Sequence, residues 1–297
     1  MLLGLLLLAG TSLGPPPRAA GALSPEPHRV TILYDAFGPR RDLTRDWGFA
    51  ALVEYGGKRI LFDTGNNADI FAHNVKALGI DLTRLDFVVV SHRHSDHTAG
   101  LNYLLRINPK VRIYAPREPF GVFGASLPST FYRTDSTLPD SMRYFAGAPA
   151  TEIKSGTPWP TAQFTWIDTL TEVAPGVAIV STVSKNPGTL ELRELSLVVQ
   201  TPQGLVLLVG CSHPGIETIL AATRGWGDHV HLIFGGLHLV TTPDSAISRI
   251  AAALHDQWQV DEIAPGHCTG EPAFAELKRR FGTHYLYAGL GSVTDIE

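Results

Sequence analysis

With 297 residues, 44% of them hydrophobic and 18% charged, the chain can bury a sizeable core, which excludes disorder over most of its length. Its formal charge of −4 comes from 24 basic and 28 acidic residues without a basic stripe, so the expected partner is a small-molecule substrate and not nucleic acid. Two cysteines, Cys211 and Cys268, are too few for a disulfide framework.

Residues 1–24 read as a signal peptide. Met1–Gly10 is mostly leucine, Pro15-Pro16-Pro17 ends the run, and small residues follow at Ala19–Ala22. The apolar stretch is too short to span a bilayer as a helix, and only the terminal amine supplies positive charge before it. The expectation is export to the periplasm or beyond, with 25–297 as the folded domain and no stable membrane span after cleavage. An uncleaved tether or a cytoplasmic chain with a misplaced start is the alternative.

Arg29–Ala36 and Phe49–Tyr55 read as strands, the second joined through Gly56-Gly57 to Arg59–Asp63 in a hairpin. Ala68–Leu78 carries Ile70, Phe71, Val75 and Leu78 at near-helical spacing, with Gly79 as a stop. Asp86–Val90 is a short buried strand, Thr98–Ile107 a helix and Val111–Ala115 a strand. Regularity fades over 117–160, where Phe120, Phe123, Phe131, Tyr132, Tyr144, Phe145 and Trp159 suggest an aromatic-rich cap inserted over a site. Strands resume at Phe164–Ile167, Val177–Val183, Leu195–Thr201, Gly204–Gly210 and His231–Phe234, with helices at Ile216–Ala222 and Ser245–Gln257.

The strand Phe87–Val90 runs into Ser91-His92-Arg93-His94-Ser95-Asp96-His97. Three imidazoles and a carboxylate at His-x-His-x-Asp-His spacing offer nitrogen and oxygen donors that can be divided between two adjacent divalent metal ions. The same strand-then-turn grammar recurs in Leu205–Val209 before Gly210-Cys211-Ser212-His213, in His231–Phe234 before Gly235-Gly236-Leu237-His238, and in Asp261–Ala264 before Pro265-Gly266-His267-Cys268. Strand ends along one sheet edge share a rim, so donors far apart in sequence can meet. A Ser212–His213 nucleophile pair is disfavoured, because no Gly-x-Ser-x-Gly elbow surrounds it.

From Arg29 to the end, these residues resemble the metallo-β-lactamase superfamily, through Leu61-Phe62-Asp63-Thr64-Gly65, the His92–His97 cluster and the late Pro265-Gly266-His267. The resemblance implies an α+β fold, a four-layer αββα sandwich with metal at the sheet edge. It implies that His92, His94 and His213 bind one ion and that Asp96, His97 and His267 bind the other, with Asp63 as an outer carboxylate orienting the loop. Where most relatives have a bridging aspartate this chain has Cys211-Ser212-His213, so Cys211 or His238 is the candidate replacement, and His238 is either a metal ligand or a substrate contact. Histidine at position 94, where redox relatives commonly carry glutamate, favours Zn²⁺, in one or two copies, over Fe or Mn. The segments around His213, His238 and His267 resemble a branch described as dihydropteroate-synthase-like, whose members include proteins labelled ribofuranosylaminobenzene 5′-phosphate synthases.

Such a site implies a metallo-hydrolase in which a metal-activated water, oriented by Asp96 as the catalytic carboxylate, attacks an ester or phosphoester of a small molecule. The alternatives are a pterin-pathway transferase, which needs phosphate contacts and a cytosolic location, and a metal-binding sensor without turnover. Oligomeric state is not legible in the sequence.

Overall fold

The computed structural model describes residues 26–118, 133–148, 158–185 and 191–297, with the backbone alone of 126–128 and 152–154. The leader 1–24 and the aromatics Phe120, Phe123, Phe131 and Tyr132 lie outside the described residues. In chain order the elements are β1 Arg29–Tyr34, β2 Ala50–Tyr55, β3 Lys58–Phe62, α1 Ala68–Ala77, β4 Phe87–Val89, α2 Ser95–Thr98, α3 Leu101–Ile107 and β5 Arg112–Pro116. β6 Ser126–Pro128, β7 Glu152–Lys154, β8 Gln163–Ile167, β9 Thr171–Ala174, β10 Val177–Val183, β11 Arg193–Thr201 and β12 Gly204–Val209 follow. The chain closes with α4 Ile216–Thr223, β13 Val230–Gly236, α5 Asp244–Ala252, β14 Glu262–Gly266, α6 Glu271–Phe281 and β15 Val293–Asp295.

Two sheets face each other. The seven-stranded sheet runs β15-β1-β2-β3-β4-β5-β8 and the six-stranded sheet β14-β13-β12-β11-β10-β9. Neighbouring residues on the central strands point to opposite layers, as a period of two requires. Phe62, Val89, Leu208 and Phe234 meet between the sheets. Leu61 and Val88 turn outward onto Phe71 and Val75 of α1 and Leu101 and Leu104 of α3. Leu207 and Ile233 turn onto Ile219 of α4, Ile247 of α5 and Leu277 of α6. Strands buried on both faces read as near-continuous apolar runs, and the result is the expected four-layer αββα sandwich.

Local chemistry sets the element ends. Gly56 and Gly57 close the β2–β3 hairpin at φ 54° and 73°, and the register pairs Tyr55 with Lys58. Asn67 caps α1 by accepting from the N–H groups of Asp69 and Ile70.

The expected helix 98–107 is in fact two. α2 starts at Ser95, inside the histidine cluster, and a turn at Ala99-Gly100 separates it from α3, where the His97 carbonyl is taken by Thr64 N–H and Oγ–H at 2.8 and 2.9 Å; a side chain at Gly100 would run into the Thr64 carbonyl. The expected helix 245–257 widens toward its end: α5 stops at Ala252, and Trp258 N–H reaches back to Ala253 O at 2.9 Å through a π-type turn.

α6 was not anticipated, its buried Ala273, Leu277 and Phe281 being a narrow stripe in a charged segment. β9 and β15 are short and half-exposed, too weakly patterned to read. Trp159, grouped by sequence with the aromatic cap, is instead buried in the helix–sheet layer and donates Nε1–H to Asn102 Oδ1 at 2.9 Å. Among the described residues no helix is long and apolar enough to cross a membrane.

Candidate metal centre

Parallel pairing decides where the donors emerge. β3 and β4 run parallel, and so do β12, β13 and β14. Their carboxyl ends share one edge of the sandwich, where the loops that follow carry Asp63, His92–His97, Cys211–His213, His238 and His267. The backbone is bent hard there: Asp63, Ser212, His238 and His267 all have positive φ, at 57°, 63°, 52° and 47°. Left-handed backbone in residues other than glycine concentrates where function imposes a geometry. The loops also press close together, since a side chain at Gly210 would strike Ser91 Oγ and one at Gly236 would sit 2.6 Å from Cys268 Sγ.

The structure brings the expected residues together in two triplets. One nitrogen each from His92, His94 and His213 lies within 4.8 Å of the other two, and the same holds for one donor atom each from Asp96, His97 and His267. The triplets abut: the His92 and His97 ring centroids are 4.2 Å apart, those of His94 and His213 4.8 Å, and those of His97 and His267 4.9 Å. Cys211 sits between them, its Sγ 3.2 Å from His97 Nε2 and grouped with donors of both His92 and His97. The His238 ring centroid lies 4.2 Å from that of His213, the rings tilted at 50°, and His238 groups with Cys211 and Cys268, so it borders the triplets without belonging to either. Both cysteines are buried free thiols.

Asp63 lies beneath this array. Its Oδ1 accepts Ser91 N–H, and its Oδ2 accepts both Ser91 Oγ–H and His97 Nδ1–H, each at 2.7 Å. Because the Ser91 hydroxyl proton is committed to Asp63, Ser91 Oγ accepts from His92 Nδ1 at 2.9 Å. Both rings are thereby held with Nδ1 as donor, leaving Nε2 to face the centre.

Two further carboxylates were missed by sequence reasoning. Glu194, fully buried, takes the N–H groups of Cys211, Ser212 and His213 at 2.8, 2.7 and 2.7 Å, which fixes the turn that presents Cys211 and His213. Asp35, also fully buried, accepts His267 N–H at 3.0 Å. Each lies at the end of an apolar strand, and an isolated acid inside a run such as Glu194-Leu195-Ser196-Leu197 is the only signal that marked it. Ser212 Oγ donates to Gly236 O at 2.7 Å and so is committed to holding the loop.

The protonation states follow from crowding. Burial and neighbouring imidazoles hold His92 well below its ordinary range, and the same forces bring His213 down to about 3. Burial also opposes charge on His97, but Asp63 outweighs it and raises this ring to about 9. Asp96 stays below the usual carboxylate range: desolvation works against its charge, and His267 and His97 more than compensate. Burial pushes Glu194 up to about 7 against the pull of its three N–H donors, and Asp35 up to about 8.

The donor set fits a divalent transition metal. Five imidazoles, a carboxylate and a thiol converge, with no lysine or arginine in either triplet. Both ring nitrogens of the buried His267 lack a well-formed hydrogen bond, the nearest acceptor being Asp96 Oδ2 at 3.4 Å from Nε2. Such a group is costly unless something else binds its lone pair.

Beside His267 opens a hollow of about 510 Å³ walled by Phe37, Trp47, Val240, Pro272 and Phe274, with Glu271 at its rim. Trp47 lies 5.1 Å from the His267 ring and Phe37 5.2 Å from Phe274. Sequence reasoning placed the aromatic wall in 117–160, whereas this one comes from the β1–β2 connection and the start of α6.

A sequence profile of the metallo-beta-lactamase superfamily matches residues 44–184. The chain is 30% identical over 281 residues to the 7,8-dihydropterin-6-methyl-4-(beta-D-ribofuranosyl)-aminobenzene-5'-phosphate synthase of Methanocaldococcus jannaschii, spanning 87% of this chain and 94% of that protein. The crystal structure of a metal-dependent hydrolase of the beta-lactamase superfamily, 25% identical, superposes with a TM-score of 0.68 over 91% of this chain and 99% of that one. The metallo-beta-lactamase fold protein YhfI from Bacillus subtilis, 15% identical, gives 0.57 over 91% of this chain and all of that one, a likeness of fold alone. A relative matched along nearly its whole length shows common descent as well as a common fold, and this chain belongs to the metallo-β-lactamase superfamily.

Proposed function

We propose that the chain is a metal-dependent hydrolase of a small-molecule ester or phosphoester that carries an apolar, ring-bearing group. The observation that supports this most is the pair of abutting donor triplets at one sheet edge, bordered by an aromatic hollow that contains His267. In this reading His92, His94 and His213 hold one ion, and Asp96, His97 and His267 hold a second, with zinc as the favoured metal. Cys211, lying between the triplets, replaces the bridging aspartate, and His238 faces the substrate. When bound, such a metal supplies Lewis acidity, polarising an acyl or phosphoryl oxygen and bringing the pKa of coordinated water to about 7.

The chain's own residues do the rest. Asp96, held ionised and partly open to solvent, orients the attacking water and accepts its hydrogen bond. Asp63 and Glu194 fix the rings and turns, so little reorganisation accompanies the reaction. Trp47, Phe37 and Phe274 exclude water and clamp the apolar part of the substrate.

The relationship to the archaeal synthase supports a second reading, a pterin-pathway transferase. That chemistry demands contacts to both phosphate and pyrophosphate, whereas hydrolysis needs only the donor triplets and a water. Hydrolysis therefore fits the geometry better.

The test is metal analysis of purified protein followed by a screen of phosphodiesters, phosphomonoesters, lactones and thioesters, repeated on His92→Ala. Loss of both bound metal and turnover is expected in the variant. Unchanged metal content and rate would remove the basis of this reading.

A further inference from the structure

The strands that deliver the catalytic-edge residues have a second set of donors at their opposite, amino-terminal ends. His229 and His231 flank the start of β13, and Asp261 immediately precedes β14. Asp261 Oδ2 lies 2.7 Å from His229 Nε2 and 2.8 Å from His231 Nδ1, so the three donor atoms already converge.

We propose that His229, His231 and Asp261 form a separate metal site for a divalent ion of the zinc, nickel or copper class, which clasps β13 to the edge strand β14.

Three observations support a built site over a chance surface contact. First, the backbone beneath it is fixed: β13 and β14 pair in parallel with Leu232 opposite Glu262, which sets His231 beside Asp261, and Leu205 N–H donates to His229 O at 2.9 Å. Second, room for the rings depends on the glycine at 204, where a Cβ would stand 2.8 Å from His229 Cδ2 and 3.2 Å from His231 Cβ. Third, two of the donors, His231 and Asp261, border a hollow of about 490 Å³ that is also lined by Glu262, His255 and His284 and, among the described residues, by no lysine or arginine. Three protein ligands leave a fourth position for water, while Glu262 Oε2 lies 3.8 Å from the other ring nitrogen of His231, Nε2.

Two imidazoles with one carboxylate favour zinc, nickel or copper over magnesium or calcium, which take oxygen donors. The site is independent of the first. From His231 to Gly236, five residues along β13 at a strand's rise per residue separate the two edges by about 17 Å.

Equilibrium dialysis of the whole chain against Zn²⁺ tests this. The wild-type chain should take up one equivalent more than the His229→Ala/His231→Ala double variant, while His92→Ala loses ions at the other edge and keeps this one. Asp261→Asn, which retains a hydrogen-bonding side chain but removes the anionic ligand, should weaken the additional equivalent at least tenfold. Equal zinc uptake by the wild-type chain and the double variant at every concentration up to 100-fold excess, or an Asp261→Asn chain that binds as tightly as the wild type, would overturn the proposal.

Discussion

The clearest place to perturb the centre without touching a donor is Glu194. In Glu194→Gln one oxygen remains, and it serves best at Oε1, where it keeps Cys211 N–H and Ser212 N–H at 2.8 and 2.7 Å. The new NH₂ then faces His213 N–H across the former 2.7 Å hydrogen bond, setting donor against donor. A buried N–H without an acceptor costs about 1–3 kcal/mol, and two charge-assisted bonds become ordinary ones. Relief from burying a charge offsets part of this, because burial already drives the carboxyl up to about 7. A net loss of about 2 kcal/mol follows, which at an m-value of ~3 kcal/mol/M moves the urea midpoint of chelator-stripped protein down by ~0.7 M. The turn carrying Cys211 and His213 loosens as well, so zinc affinity measured by chelator competition should fall about 10–100-fold. A variant with the wild-type urea midpoint and wild-type zinc affinity would show that Glu194 does not hold this loop.

Asp63→Asn should leave the fold intact but turn an amide N–H toward His97 Nδ1, forcing that ring to carry its proton on Nε2. Metal content should drop by one equivalent, and ¹⁵N imidazole spectra should show the changed tautomer; an unchanged spectrum would refute the role drawn from the 2.7 Å contact. Trp47→Ala opens the wall of the hollow, so KM for a ring-bearing substrate should rise about tenfold, the equivalent of ~1.4 kcal/mol of lost burial, with kcat nearly unchanged. A larger effect on kcat than on KM would place Trp47 elsewhere in the reaction. Gly210→Ala should destabilise the chain by ~2 kcal/mol or more in urea, since the methyl meets Ser91 Oγ beneath the donors. An unchanged midpoint would mean that the two loops are not packed as described.

Much of the fold was legible because the central strands are buried on both faces and so read as near-continuous apolar runs, each ending in a turn that carries a histidine. That grammar placed β4, β12, β13 and β14 and, with them, the residues that meet at the edge. Other parts were hidden for physical reasons. α6 buries only a three-residue stripe, and the helix expected over 98–107 is interrupted where Thr64 takes the His97 carbonyl, a tertiary contact that no local pattern records. Glu194 and Asp35 act by accepting backbone N–H groups from distant loops, so their role depends on partners 17 or more residues away. The aromatic wall beside His267 carries no local signal, because Trp47 and Phe274 meet there only through the sheet topology; the cap expected over 117–160 lies in part outside the described residues.

Each donor triplet draws on both halves of the sandwich, His213 joining His92 and His94, and His267 joining Asp96 and His97. Neither half of the polypeptide holds a complete set, since His267 lies 170 residues beyond His97. During synthesis the second set therefore stays incomplete until His267 has emerged, and the centre closes only when both leaves have docked.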